Sequence, residues 1–267
     1  MNDGFITALN TQRSTSNWMD ALAENLSNIY TPGYRENQFR FNTFLGGTYV
    51  DTFGMKTDQG KSLPGTAPEN IFLEGQGYFV TKNDKGQTVY TRLGEFQFDA
   101  QGVYKTKNGA RVQGYILNDE GKVLSNSSEV EGDVASMPTT DIKLWIDPSN
   151  GKYLGKYDEF EFGGNGILYG KSDGGKLKTP LYKVAIHNFN NPEGLLNIQK
   201  GEYVETEESG KPVIGNAQVR GGLIEQSNVD FKTNIAYYQQ AKMQMELSNK
   251  LISTNKQLLE EAMRLIQ

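Results

Sequence analysis

Two spacings of apolar residues divide this chain. From Phe231 an apolar or aromatic residue returns at every seventh position: Phe231, Tyr238, Met245, Ile252, Leu259 and Ile266. The first thirty residues carry a matching stripe of Phe5, Ala8, Leu9, Met19, Leu22, Ala23, Leu26 and Ile29, at spacings of three and four. A strict seven-residue repeat keeps one helical face toward a partner, so both ends are expected to be helices pairing as a coiled-coil-like core. The first helix is predicted over residues 3–30 and is stopped by Pro32-Gly33. Its stripe is interrupted by Gln12, Thr15 and Ser16. The last helix, from Phe231 to Ile266, holds no glycine or proline and would be about 54 Å long. Ser227 or Asn228 is expected to cap its start. Ala241, Ser248 and Ala262 recur three positions after stripe residues, where small side chains permit close helix approach.

Between the helices the period changes. Residues 35–70 read as a connector rich in glycine and proline, opened by Phe39, Phe41 and Phe44. These pack either on the β-domain or on a neighbouring subunit. From Ile71 onward short alternating runs lie between turn sequences: Asn83 to Gly86, Asp99 to Gly102, Asn108-Gly109, Asn118 to Gly121, Asn150-Gly151, Gly163-Gly164 and Asp173 to Gly175. Such turns accept positive φ and join hairpins. Ile142 to Ile146 and Leu181 to Ile186 read as half-buried strands. The expected fold is therefore α+β, with a discontinuous helical core (1–34 and 226–267), a connector (35–70) and a central all-β domain (71–225) resembling a barrel or sandwich.

Composition narrows the function classes. The 267 residues carry a formal net charge of -5, which offers no electrostatic footprint for nucleic acid or anionic lipid. Mean hydropathy is -0.59 and no run of 18 apolar residues exists, so no membrane insertion is expected. The first residues lack the basic and apolar regions of a cleavable signal, so a chain leaving the cell is expected to use a route that reads the mature protein. With no cysteine, disulfides and thiolate metal sites are excluded.

Candidate chemistry is sparse. His187 is the sole histidine, has no companion for a metal site, and reads as a packing or surface residue near a strand end. Asp158 and Glu161 could serve as paired carboxylates, but alternating charges on a strand usually form its solvent face. Asn118 to Gly121 lacks the spaced ligands of a calcium loop. Gly75-Gln76-Gly77 is followed by another strand, whereas a phosphate-binding loop needs a helix N-terminus. The expectation is no catalytic residue, no metal and no cofactor.

Four stretches together resemble one family, the flagellar basal-body rod and hook proteins. The segment Asn25-Leu26-Ser27-Asn28-Ile29-Tyr30-Thr31-Pro32-Gly33-Tyr34 is similar to the family's N-terminal signature. Gly75-Gln76-Gly77-Tyr78-Phe79, with Tyr90-Thr91-Arg92-Leu93-Gly94-Glu95-Phe96 and then Gly102 and Asn108-Gly109, resembles its central β-domain motif. Asn188 to Leu195 is similar to a later strand-to-loop segment, and Gly222-Leu223-Ile224-Glu225-Gln226-Ser227-Asn228-Val229 to the Ser-Asn-Val element introducing the C-terminal helix. The chain departs from the pattern at Glu24 and Tyr34, and residues 116–179 do not align, reading as a lineage-specific elaboration.

The resemblance implies a structural subunit whose terminal helices form the inner core of a helical tube that carries motor torque to the hook. It also implies partners: further copies of the chain, other rod and hook proteins, the surrounding ring proteins, and the flagellar type III export apparatus. Length and the segment Glu246 to Thr254 favour a distal-rod type, while the short connector favours its proximal-rod relative. The alternatives are a monomer with bundled terminal helices, a secreted β-rich adhesin module, and a glycosidase using Asp158 and Glu161.

Overall fold

The computed structural model describes residues 2–44, 47–123, 138–144, 157, 159–199 and 201–266. Two compact units emerge. One comprises residues 1–29, 35–56 and 229–267, the other residues 30–34 and 57–228.

The helical unit contains α1 (Asn2–Ser27), a hairpin of β1 (Asn37–Phe44) and β2 (Gly47–Met55), and α2 (Phe231–Ile266). The hairpin departs from the expectation of an irregular connector over residues 35–70. Residues 35–56 of that stretch fold with the helices and residues 57–70 with the strands. Phe39 packs on Trp18 of α1, at 6.5 Å between ring centroids. The side chains of Phe41 and Phe44 lie outside the described residues. The cap of α2 is Asp230, not Ser227 or Asn228. Its carboxylate accepts from the Lys232 N–H (3.0 Å) and the Thr233 hydroxyl (2.8 Å), which satisfies donors at the open helix end. The Thr233 hydroxyl and the adjacent backbone N–H groups hold the Asp230 carboxyl below its ordinary range.

The β-unit is built from β3 (Ser62–Pro64), β4 (Ile71–Glu74), β5 (Tyr78–Lys82), β6 (Thr88–Thr91), β7 (Phe96–Phe98), β8 (Tyr104–Thr106) and β9 (Arg111–Ile116). These are followed by β10 (Thr140–Asp141), β11 (Glu159–Phe162), β12 (Ile167–Ser172), β13 (Leu177–Val184) and β14 (Ile186–Asn188). The last are β15 (Leu196–Gln199), β16 (Glu202–Val204), β17 (Val213–Ile214), β18 (Gln218–Gly221) and β19 (Leu223–Glu225). The main path of the largest sheet runs β11-β12-β13-β9-β5-β6-β16-β15. It ends on two different strands, so no closed barrel forms among the described residues, contrary to that part of the expectation.

Central β5 is buried on both faces, as its unbroken run Tyr78-Phe79-Val80 requires. The core gathers Ile71, Leu73, Phe79, Phe96, Tyr104 and Leu168 among others. Phe96 lies edge-on to both Phe79 (5.1 Å) and Tyr104 (5.2 Å). Asn83, Asp99 and Asn118 each open a turn by accepting two backbone N–H bonds, and each turn closes on a glycine with φ between +72° and +78°. Of the strand expected over Ile142 to Ile146, the described part follows β10, bridges Val103 through Lys143, and bonds the backbones of Val112 and Tyr104 through Ile142. Trp145, Ile146 and the Asn150-Gly151 turn lie outside the described residues. Of residues 116–179, β11 to β13 extend the sheet beside β9.

Candidate assembly face and motif cluster

On α1 the buried line is Ala8, Thr15, Trp18, Leu22 and Asn25. On α2 it is Asn234, Ala241 and Ser248, recurring at seven residues with Tyr238, Met245 and Ile252 half-buried between them. The two helices pack along these lines, with Trp18 and Leu22 against Ala241. The small row thus sits deepest, because α1 presents its bulk there, and the larger stripe residues flank it. Of the other stripe positions, Phe5, Met19, Leu26 and Ile29 are half-buried. Leu9 (41%), Phe231 (54%) and Leu259 (43%) are exposed. The Ile266 side chain lies outside the described residues. Trp18 is a seam residue that the expected stripe omits, although its place between Thr15 and Leu22 at spacings of three and four is visible in the sequence.

A second apolar row runs along α2 through Met243, Leu247, Leu251, Leu258 and Leu265, all exposed. One helix partner cannot cover both rows.

Polar residues fix the pairing. The Asn25 amide is fully buried. It donates to the Asn37 carbonyl (3.1 Å) and to Asn234 Oδ1 (3.0 Å), while its Oδ1 accepts from the Asn37 N–H (2.9 Å). Only a primary amide of this length supplies donor and acceptor together to one peptide, so aspartate would not serve. Asn28 closes α1 by donating its side-chain amide to the Glu24 carbonyl (2.9 Å).

The remaining motif residues converge in the β-unit around Arg92. Its Nε donates to Glu225 Oε2 (2.8 Å), Nη1 to the carbonyls of Gly75 (2.8 Å) and Gly77 (2.7 Å), and Nη2 to that of Leu73 (3.2 Å). Both side chains of the ion pair are 1% exposed. A planar guanidinium reaches this spread of acceptors, and lysine would not. Gly33 (φ +66°) docks its amide on the Glu225 carbonyl (2.8 Å), and a Cβ there would lie 2.5 Å from the Arg92 backbone. Thr91 donates its hydroxyl to the Gly201 carbonyl (2.8 Å). A Cβ on Gly94 would meet the Ile71 carbonyl at 1.7 Å. Phe79, Phe96 and Tyr90 are core residues, and Pro32, Ser227 and Asn228 adjoin the turns that meet Glu225, whereas Val229 belongs to the helical unit. Glu225 stands within the Gly222 to Val229 stretch of the resemblance, where the sequence assigns it no role of its own.

His187 is buried in β14, its Nε2 3.4 Å from the Tyr115 hydroxyl, and burial holds its pKa below the ordinary value. Glu161 is bonded by Lys171 and Lys178, which hold its carboxyl low, the opposite of what a general acid needs. Asp158 lies outside the described residues. An open cavity of about 540 Å³ beside Tyr115, Lys183 and Gln218 has neither carboxylate nor imidazole in its lining among the described residues. Among the described residues no cluster of potential metal ligands occurs, and no helix is long and apolar enough to cross a membrane.

Comparison with known proteins connects these features. Residues 72–140 match the family described as Flagellar hook protein FlgE/F/G D1 domain. The Flagellar basal-body rod protein FlgG of Buchnera aphidicola subsp. Baizongia pistaciae is 24% identical, covering 91% of this chain and 92% of that protein. The protein of the same description from Bacillus subtilis is 22% identical over 92% of each chain. The Flagellar hook protein FlgE of Borreliella burgdorferi is 30% identical over 43% of this chain and 27% of its own length. With its sheet carrying the matched domain and rod-protein relatives aligned over nine-tenths of its length, the chain is similar to the flagellar rod and hook proteins.

Proposed function

We propose that the chain is a structural subunit of the flagellar basal-body rod, of the distal type, polymerising through its helical unit into a tube that carries torque toward the hook. The observation that carries this reading is the second apolar row on α2. A long exposed row on a helix already paired along another face is an interaction surface. Helical tubes arise when the surface a subunit offers differs from the one it receives, so that contacts never close. Neighbours in such a tube are further copies and other rod and hook proteins, with ring proteins around them and the flagellar type III apparatus delivering the subunit. The full-length similarity to proteins described as FlgG supports the distal type over the proximal one.

Replacing Leu247 and Leu251 together by aspartate tests the assembly surface. The isolated variant is expected to keep the helical content of the parent and to remain soluble. In cells it should be exported yet fail to build rods. Rods of normal length and normal swimming would refute the use of this face.

A further inference from the structure

The chain passes between its two units four times, at 29–30, 34–35, 56–57 and 228–229. The β-unit residues next to all four passages meet around Arg92 and Glu225. The Tyr30–Tyr34 turn is tied by the Gly33 amide to the Glu225 carbonyl (2.8 Å) and by the Tyr34 carbonyl to the Asn228 N–H (3.2 Å). The segment after residue 56 is tied three times. Its Gly60 amide donates to Glu225 Oε1 (2.8 Å), its Lys61 carbonyl accepts from the Gln226 N–H (2.8 Å), and its Asp58 carbonyl accepts from Asn228 Nδ2 (2.7 Å). The backbones lie close enough that a Cβ on Gly60 would sit 1.8 Å from the Gln226 carbonyl. Glu225 therefore engages one segment with its backbone and another with its carboxylate. Arg92 holds that carboxylate and anchors it, through Leu73, Gly75 and Gly77, to the end of β4 and the loop beyond it.

We propose that Arg92 and Glu225 form a load clamp, a buried cross-tie that gathers the three segments leaving the β-unit into one root. Force entering along any one segment is then shared by hydrogen bonds acting in parallel, instead of peeling the segments away in turn. The clamp deepens the reading of the chain as a torque-carrying rod subunit, and rests on it for its biological use.

Two variants of the full chain test it. Arg92→Lys keeps the charge but loses the spread of donors, whereas Asn228→Ala leaves the ion pair in place and removes the side-chain tie to Asp58, so it is expected to fold even if the lysine variant does not. Amide hydrogen exchange on the purified proteins should show faster exchange at Gly33 and Gly60, up to about tenfold in the lysine variant, the equivalent of one lost hydrogen bond. The core amide of Val80, bonded to the Ala185 carbonyl, should be unchanged. Equal acceleration at Val80 in both variants, or none at Gly33 and Gly60, would overturn the clamp. In the chain's own host, cells carrying either variant should build rods and swim in dilute medium, but lose speed disproportionately as viscosity rises. Speeds that track the parent at every viscosity would overturn the force-sharing role. Normal basal bodies in a host lacking the gene would instead overturn the rod reading, and the exchange result would be untouched by that failure.

Discussion

Acidification should weaken the β-unit through one residue, His187. Its imidazole is enclosed by Tyr115, Tyr90 and the β5 strand that it pairs with, and Nδ1 has no hydrogen-bond partner among the described residues. Protonation would bury a charge and a second N–H with nothing to receive it, so burial depresses the folded-state pKa. The unfolded chain, whose histidine titrates near about 6.5, therefore takes up the proton first. Stability is fully present above that pH and falls as pH drops below it, until the folded imidazole protonates as well. The largest loss this allows by pH 5.5 is about 1.4 kcal/mol. The chain has a single histidine, which makes the measurement clean. Urea unfolding at pH 7.5 and 5.5, followed by the near-ultraviolet dichroism of the packed tyrosines, should show the loss in the parent. In His187→Gln, which keeps a hydrogen-bonding partner for Tyr115 but does not titrate, that component should vanish. At neutral pH this variant is expected to assemble and swim like the parent. Parallel pH profiles for the two proteins, or a parent that gains stability in acid, would refute the account.

Three further substitutions probe other parts of the fold. Gly94→Ala forces a Cβ onto the Ile71 carbonyl while Gly94 still accepts the Ile71 N–H (3.0 Å), and should cost about 3 kcal/mol in urea unfolding. Ala241→Leu overfills the space between Trp18 and Leu22 and should destabilise the helical unit by about 1–3 kcal/mol, seen as an earlier loss of the Trp18 fluorescence signal. Leu259→Asp alters an exposed position, so the isolated chain should change by no more than about 0.5 kcal/mol, while rod formation scored by electron microscopy should be lost.

The helices are legible in the sequence because periodicity depends on the chain's own face, and a sustained seven-residue apolar repeat suits a helix and hardly any other backbone. Which face meets α1 is less legible. The large residues Phe231 to Ile266 dominate the pattern, but contact is deepest at Asn234, Ala241 and Ser248, since the bulk of Trp18 and Leu22 comes from the other helix. Small residues carry little hydrophobic signal and acquire meaning only from their partner. The Asx-x-x-Gly turns read directly, being local. The β1–β2 hairpin does not, because its glycines and polar residues mimic an irregular connector. Arg92 and Glu225 lie 133 residues apart, and neither residue's local sequence announces the other. The motif resemblance covers both residues in separate stretches, and only geometry joins them as a pair.

The row Asn234, Ala241, Ser248 resembles a ruler whose marks are alike. Sliding α2 by one repeat, about 10.5 Å, would set another small residue under Trp18 and leave the apolar contacts little changed. Hydrophobic burial therefore cannot tell these alignments apart. Asn25 can, because in a shifted alignment it would face Ala241 in place of Asn234, at a cost of about 1–3 kcal/mol for the stranded buried amide. Gln12 and Asn249, bonded at 2.7 Å, repeat the same check farther along the pair. The asparagine in the N-terminal motif thus acts as the zero of the scale, and a subunit with alanine at position 25 should still pair its helices without fixing how far along they meet.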